Sequence, residues 1–227
     1  MFILPIEHNN ASRKTPYVVW TLLLLNIAAM LAYAVLPYRE VISQYGYHPS
    51  NPSALTALTS MFLHAGLWHL VGNLWFLWMF GDNVEELMGS LKFLAAYFVA
   101  GVAALGAHTL TTVRPELTLV GASGAVSGVV GMYFVLQPNA RFDLHIVVWR
   151  WVVKTFAASA VVATGVWFVE QLLLAVASSA TGLALTVAFW AHVGGFAAGV
   201  VTGIVFGKFA MPSGSDRIDI TRRRFDN

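Results

Sequence analysis

The sequence predicts an all-α fold, a polytopic membrane protein of six transmembrane helices, on three observations. First, 58% of the 227 residues are hydrophobic and only 11% charged, with a mean hydropathy of +0.69. A soluble domain of this length has too little interior to hide so much apolar surface, whereas a bilayer favours runs of about 20 apolar residues that cross it as helices. Second, such runs recur along the chain, separated by polar or proline-bearing stretches. Third, the basic residues sit at the edges of these runs, which makes them topology signals. The small net charge of +2 therefore gives no reason to expect a nucleic-acid partner. The chain has no cysteine, which removes disulfides, thiolate nucleophiles and cysteine metal sites. Met1 to Ile6 is too short an apolar run, and lacks the basic start, for a cleavable signal peptide.

Taken in order, a polar N-terminal tail (residues 1–16) carries Arg13 and Lys14 and leads into a first helix from about Tyr17 to Leu36, closed by Pro37. From Tyr38 to about Ser60, Pro49, Pro52, Gly46 and several aromatics predict a long loop whose amphipathic pieces lie in the membrane interface. Helix two runs from roughly Phe62 to Phe80, before the polar Gly81-Asp82-Asn83, and helix three from about Leu91 to Leu110. Helix four, Gly121 to Leu136, reaches only about 24 Å against a hydrocarbon core of about 30 Å. Its start is expected below the membrane surface, shielded from lipid by other helices. Helix five lies within Ile146 to Ala177 and helix six within Leu183 to Gly207, which closes a membrane domain over 17–207. The polar, basic tail 208–227, with Arg222-Arg223-Arg224, is expected to be disordered or lipid-facing.

Six crossings put both termini on one side. If that side is cytoplasmic, it holds Arg13, Lys14, Lys92, Arg141, Arg150, Lys154, Lys208, Arg217, Arg222, Arg223 and Arg224, eleven of the thirteen basic residues. Only Arg39 and Arg114 fall outside, a bias that sets the orientation in a cell (inner) membrane. Helices two, four and six then begin on the outer side, so His64, His69, Asn73, Ser123 and His192 all fall in the outer half.

The run Gly121-Ala122-Ser123-Gly124-Ala125-Val126-Ser127-Gly128 sets a serine among residues with almost no side chain. Such runs ordinarily serve close helix packing; an activated nucleophile needs a base and charge-stabilising donors besides. Helix six has Gly195, Gly199, Gly203 and Gly207 at four-residue spacing, with His192 on the same face. Helix four offers Gly121, Gly124, Gly128 and Gly131 in return. Packed together, the two faces bring the Ser123 hydroxyl and the His192 imidazole within hydrogen-bonding reach. With helix six starting near Ala184, His192 is expected about 12 Å down. Asn73 follows His69 by four residues, so both project from one face. These donors, with the Ser123 N–H at a helix N-terminus, suit the oxygen of a tetrahedral intermediate. His64 either shares that role or lines the entrance.

A structural reading stands beside each of these, since an intramembrane histidine or asparagine also serves to satisfy a neighbouring backbone. Three histidines suggest zinc, but there is no His-Glu-x-x-His and no carboxylate close in sequence; no metal and no cofactor is expected. Glu170 divides evenly between structure and function. Glu85 ties the inner loop to helix ends, and Trp68, Trp75, Trp78, Trp167 and Trp190 read as packing or interface anchors. His8, His48, His108 and His145 receive no role. Ser127 is the alternative hydroxyl, one turn deeper than Ser123.

Together these residues resemble the rhomboid intramembrane serine proteases over about Tyr17 to Gly207. The resemblance rests on His64-x4-His69-x3-Asn73, Gly121-Ala122-Ser123-Gly124 and Ala191-His192-x2-Gly195-x3-Gly199, in order on alternate helices. It implies a rhomboid-like bundle with Ser123 as nucleophile and His192 as general base, and with His69, Asn73 and the Ser123 backbone as oxyanion donors, His64 being the outer histidine of helix two. Gly81 and Glu85 resemble the family's glycine and glutamate after helix two. The resemblance also implies that the first loop lies partly in the membrane and that helix five, near Trp167 and Phe168, borders lateral substrate access. The implied activity is a serine endopeptidase acting on transmembrane protein substrates within the lipid bilayer. The alternative is a catalytically silent relative that binds membrane clients, although such a relative usually lacks the serine or the histidine. The sequence sets no oligomeric state. Two positions depart from the family: Leu55-Thr56 stands where some members have Trp-Arg, and Ser127 where some have an aromatic that stacks on the histidine. The orientation of His192 must therefore be fixed by other residues.

Overall fold

The computed structural model describes residues 2–8, 14–149, 151–181 and 187–209. Strand β1 (Phe2–His8) is followed by α1 (Tyr17–Tyr33), two short helices α2 (Tyr38–Tyr45) and α3 (Ala54–Thr59), and a single 3-10 turn over Ser60–Phe62. Then come α4 (Leu67–Met88), α5 (Ser90–Thr111), α6 (Ser123–Leu136), strands β2 (Arg141–Val148) and β3 (Trp151–Ser159), and finally α7 (Ala160–Thr181) and α8 (Phe189–Phe209). Helices α5, α7 and α8 are each long and apolar enough to cross a membrane; α4 makes a fourth span when taken with Ala54–Phe62, which meets it at a 92° bend. Helices α1 and α6 are apolar but shorter. The chain is a mostly helical, multi-pass integral membrane protein. Leucines and valines exposed along its helices, such as Leu24, Val99, Leu173 and Val201, have lipid as their solvent.

The fold is not all-α. Residues 2–8, expected in a polar tail, and residues 141–159, partly expected in helix five, form an antiparallel sheet of order β1-β2-β3, with Glu7 opposite Phe142 and a register irregularity at Ile146/Val147. The physical reason is visible in the residues. Arg141, Asp143 and His145 alternate with Phe142, Leu144 and Ile146, the period of a strand, and the segment is rich in β-branched and aromatic residues. Phe142 is fully buried, its ring 5.5 Å from Phe80 and 5.9 Å from Tyr133. Glu7 accepts hydrogen bonds from the Tyr133 hydroxyl and, at 3.0 Å, from Asn83 Nδ2. The sheet is thereby fastened to one end of α4 and α6, the end opposite Ser123.

Helix α4 runs through Gly81-Asp82-Asn83 instead of stopping before it, and ends where Gly89 adopts φ +79°. Gly81 sits inside the helix because a β-carbon there would press to 2.8 Å from a Val19 methyl. One turn later Glu85, buried, accepts from the Val18 and Val19 N–H groups at 3.1 and 2.9 Å and from Ser90 Oγ at 2.6 Å. This carboxylate satisfies the open N-terminus of α1, which has no capping side chain of its own, and complements its dipole. Helix α7 begins at Ala160, and α8 at Phe189. The part of the expected helix six at 183–186 lies outside the described residues, as do Met1, 9–13, Arg150 and 210–227, including most of the C-terminal tail.

The expected glycine faces meet over Gly124, Gly128 and Gly131 of α6 and Gly195 and Gly199 of α8, while Gly121 faces His69 and Gly207 has nothing within 4 Å. A β-carbon on Gly195 would overlap the Gly124 carbonyl oxygen, one on Gly199 the Gly128 carbonyl, and one on Gly131 the Phe196 carbonyl. Backbone rests on backbone between α6 and α8, and α5 adds Ala100 and Ala104 against the same glycines. Gly199→Ala is expected to lower stability by about 1–3 kcal/mol through overpacking. Gly106→Ala on α5, where nothing lies within 4 Å, should hold or raise it by up to about 1 kcal/mol; thermal unfolding in detergent reads both. Glu85→Ala strands two backbone donors and is expected to cost about 1–3 kcal/mol in the same measurement.

Candidate active site

A cavity of about 900 Å³ lies among α4, α5, α6, α7 and α8, and His69, Asn73, Ser123, Trp167, Gln171 and His192 all line it. Ser123 is the first residue of α6. The turn before it is built by Gly121, whose φ of +130° is a conformation that a side chain resists, and whose N–H donates to the Ser60 carbonyl at 2.9 Å. A β-carbon on Gly121 would lie 2.8 Å from His69 Cε1, 2.9 Å from His69 Nε2 and 3.6 Å from Ser123 Oγ. The histidine ring and the serine hydroxyl thus border one glycine-sized gap. No side chain caps α6, so the positive end of its dipole lies at Ser123.

His192 is the fourth residue of α8. It therefore sits about one turn, roughly 4.5 Å, below the helix start, not the depth expected from a start near Ala184. Ser123 and His192 both occupy the first turns of their helices, α6 having 14 residues and about 21 Å of length. The residues beside them are neighbours: a β-carbon on Gly124 would lie 3.9 Å from the Ala191 carbonyl oxygen. Ser123 Oγ and His192 face the same cavity without a hydrogen bond between them. The Ser127 hydroxyl is spent on the Ser123 carbonyl at 2.6 Å, which leaves Ser123 as the free hydroxyl of the pair.

The imidazole of His192 is held from α7 and α8. Trp167 stacks on it with centroids 6.2 Å apart and planes at 28°, Phe189 meets it edge-on, and its Nδ1 lies 2.8 Å from Gln171 Oε1. Of the two residues expected at a lateral opening, Trp167 lines the cavity and touches Phe76 of α4 at 6.0 Å. Phe168 instead stacks on Phe196 of α8 at 4.4 Å.

On α4, His69 Nδ1 accepts from the Ala65 N–H at 3.4 Å. A neutral imidazole then carries its proton on Nε2, the atom facing Gly121 and Ser123. Asn73 is buried, and its amide gives one hydrogen to the His69 carbonyl at 3.0 Å. His64 does not line the cavity: it is fully buried behind His69, ring edge to ring face at 5.2 Å. Its backbone is clasped by the Tyr33 hydroxyl, which accepts from the His64 N–H at 2.9 Å and donates to its carbonyl at 3.1 Å.

Two cavity residues escaped sequence reasoning. Gln171 follows Trp167 by four residues in an otherwise apolar helix, a spacing that puts both on one face. His108 on α5, given no role, also lines the cavity. Glu170 is exposed on α7.

A profile of the Rhomboid domain matches residues 51–209. Rhomboid-like protein 11, chloroplastic, of Arabidopsis thaliana is 30% identical over 95% of this chain and 74% of its own length. Putative rhomboid protease YdcA of Bacillus subtilis is 28% identical over 59% of this chain and 68% of its own. Rhomboid protease GluP of the same bacterium is 36% identical over 39% of this chain and 17% of its own. The domain match covers well over half of the residues, from the turn before α3 to the end of α8, and on it this multi-pass membrane protein belongs to the rhomboid family.

Proposed function

We propose that this protein is an intramembrane serine endopeptidase that cleaves transmembrane segments of other membrane proteins with a Ser123–His192 dyad. One observation carries the reading: Ser123, His192, His69 and Asn73, on three different helices, line a single cavity. The relatives named rhomboid proteases point the same way.

In this mechanism Ser123 Oγ attacks the scissile carbonyl carbon while its proton passes to His192. The carbonyl oxygen becomes an oxyanion held by the Ser123 N–H, the Asn73 amide and His69 Nε2–H. Collapse breaks the C–N bond as His192 returns the proton to the leaving amine. Water, activated by the same imidazole, then hydrolyses the acyl-enzyme. Hydrolysis also requires that water reach Ser123, a need that the cavity serves. His64 supports the ring of His69, and Trp167, with Phe168 behind it, borders the α4–α7 seam through which a substrate helix is admitted.

All six apolar helices cross the membrane in this reading, α1 and α6 as short spans within 17–207. Both termini are cytoplasmic, as the distribution of basic residues argues, and the cavity opens to the outer side of a cell (inner) membrane.

Protein reconstituted with a single-span substrate should cleave it. Ser123→Ala and His192→Ala should each lose activity by at least about a thousandfold while still folded, and a fluorophosphonate should label Ser123 in the parent only. Undiminished cleavage by either variant sinks the dyad; a folded parent that takes no label but retains membrane clients is a silent binder. Asn73→Ala is expected to lower kcat about a hundredfold or more. Gly121→Ala, which forces a β-carbon against His69 at positive φ, should do likewise while costing about 1–3 kcal/mol of stability.

A further inference from the structure

The geometry points to Gln171 as a positioning residue that sets both the tautomer and the direction of His192; the inference rests on the proposed roles of Ser123 and His192. An amide oxygen only accepts hydrogen bonds. With Gln171 Oε1 2.8 Å from His192 Nδ1, that nitrogen must carry the proton, and a neutral imidazole then presents the lone pair of Nε2 to the cavity. This is the form that takes a proton from a serine hydroxyl. The reverse amide orientation would place a donor on Nδ1 and send the proton to Nε2, where it would block that transfer.

Gln171 is built for the task. The residue is buried, 6% exposed, so little solvent competes for the oxygen, and it stands one helical turn beyond Trp167 on the same face of α7. The tryptophan fixes the plane of the imidazole by stacking and the glutamine fixes its rotation within that plane. A carboxylate in the same place would carry a desolvation cost of several kcal/mol, whereas a neutral amide supplies the same acceptor without a buried charge. This arrangement also accounts for Ser127 one turn after the nucleophile. The histidine is steadied from α7 rather than from α6, so α6 is free to keep a small residue against Ser123.

The test uses the full chain labelled with 15N-histidine, with the His192 signals identified by their loss in His192→Ala. In the parent, His192 should be protonated on Nδ1. In Gln171→Met, which keeps length but removes the acceptor, the proton should distribute between the two nitrogens. Fluorophosphonate labelling of Ser123 should slow at least about tenfold, and kcat for a single-span substrate should fall with KM unchanged. Gln171→Asn, one methylene short, should be slow as well, and serves in place of the methionine variant if that one fails to fold. A parent protonated on Nε2, or a tautomer unmoved by losing the acceptor, overturns the inference. A parent that takes up no fluorophosphonate refutes the protease reading instead, and the nitrogen shifts still decide whether Gln171 sets the tautomer.

Discussion

Contact of carbonyl oxygen with glycine Cα between α6 and α8 is what the rest of the molecule depends on. In lipid there is no hydrophobic gain in bringing two apolar helices together, so association rests on how closely the backbones approach. Gly195 and Gly199 receive the carbonyls of Gly124 and Gly128, and Gly131 receives that of Phe196. The same ladder sets the register of Ser123 against His192. With Gly124 against Ala191, the residues before Gly124 and after Ala191 are Ser123 and His192, and a one-residue slip would move them apart.

The irregular backbone around the cavity is satisfied locally, as it must be at membrane depth. Where the approach to α4 bends by 92°, the Tyr33 hydroxyl serves both the N–H and the carbonyl of His64. The turn into α6 is held by the Gly121 N–H on the Ser60 carbonyl. The 3-10 turn that ends in Phe62 is thus tied to the turn before Ser123 sixty residues later. What the backbone takes from the polar groups of the cavity is limited: the Ala65 N–H uses only Nδ1 of His69 and the His69 carbonyl takes only one hydrogen of the Asn73 amide.

Most of the long helices and the contact of the α6 and α8 glycine faces were legible in the sequence because small-residue spacing and apolar run length are one-dimensional signals. The sheet was also written there, in the alternation of Arg141, Asp143 and His145 with Phe142, Leu144 and Ile146. An expectation of helix over so apolar a stretch obscured it, and nothing in residues 2–8 alone announces a strand whose partner lies 140 residues away. The start of α8 was misplaced because Leu183, Leu185 and Val187 continue the apolar run without a break. Gln171 was hidden for another reason: a lone glutamine in an apolar helix acquires meaning only when the ring it faces is known. For His64, five residues before His69, the sequence left two places open, and the structure packs it behind the His69 ring.

Strand β3 passes into α7 without a loop, Ser159 to Ala160, and the joint is pinned: the Ala160 N–H donates to the Ala140 carbonyl at 2.7 Å and Ala160 is fully buried. Mechanically, α7 is a rod clamped at its sheet end. Trp167 and Gln171 lie roughly 10 and 16 Å along it, so a tilt of roughly 10° about the clamp displaces Gln171 by roughly 3 Å while barely disturbing the sheet. That displacement is comparable to the length of the Gln171–His192 hydrogen bond. Leverage of this kind follows from one rigid helix both walling the cavity and carrying the two groups that hold His192, so that a tilt about the clamp moves Trp167 and Gln171 together.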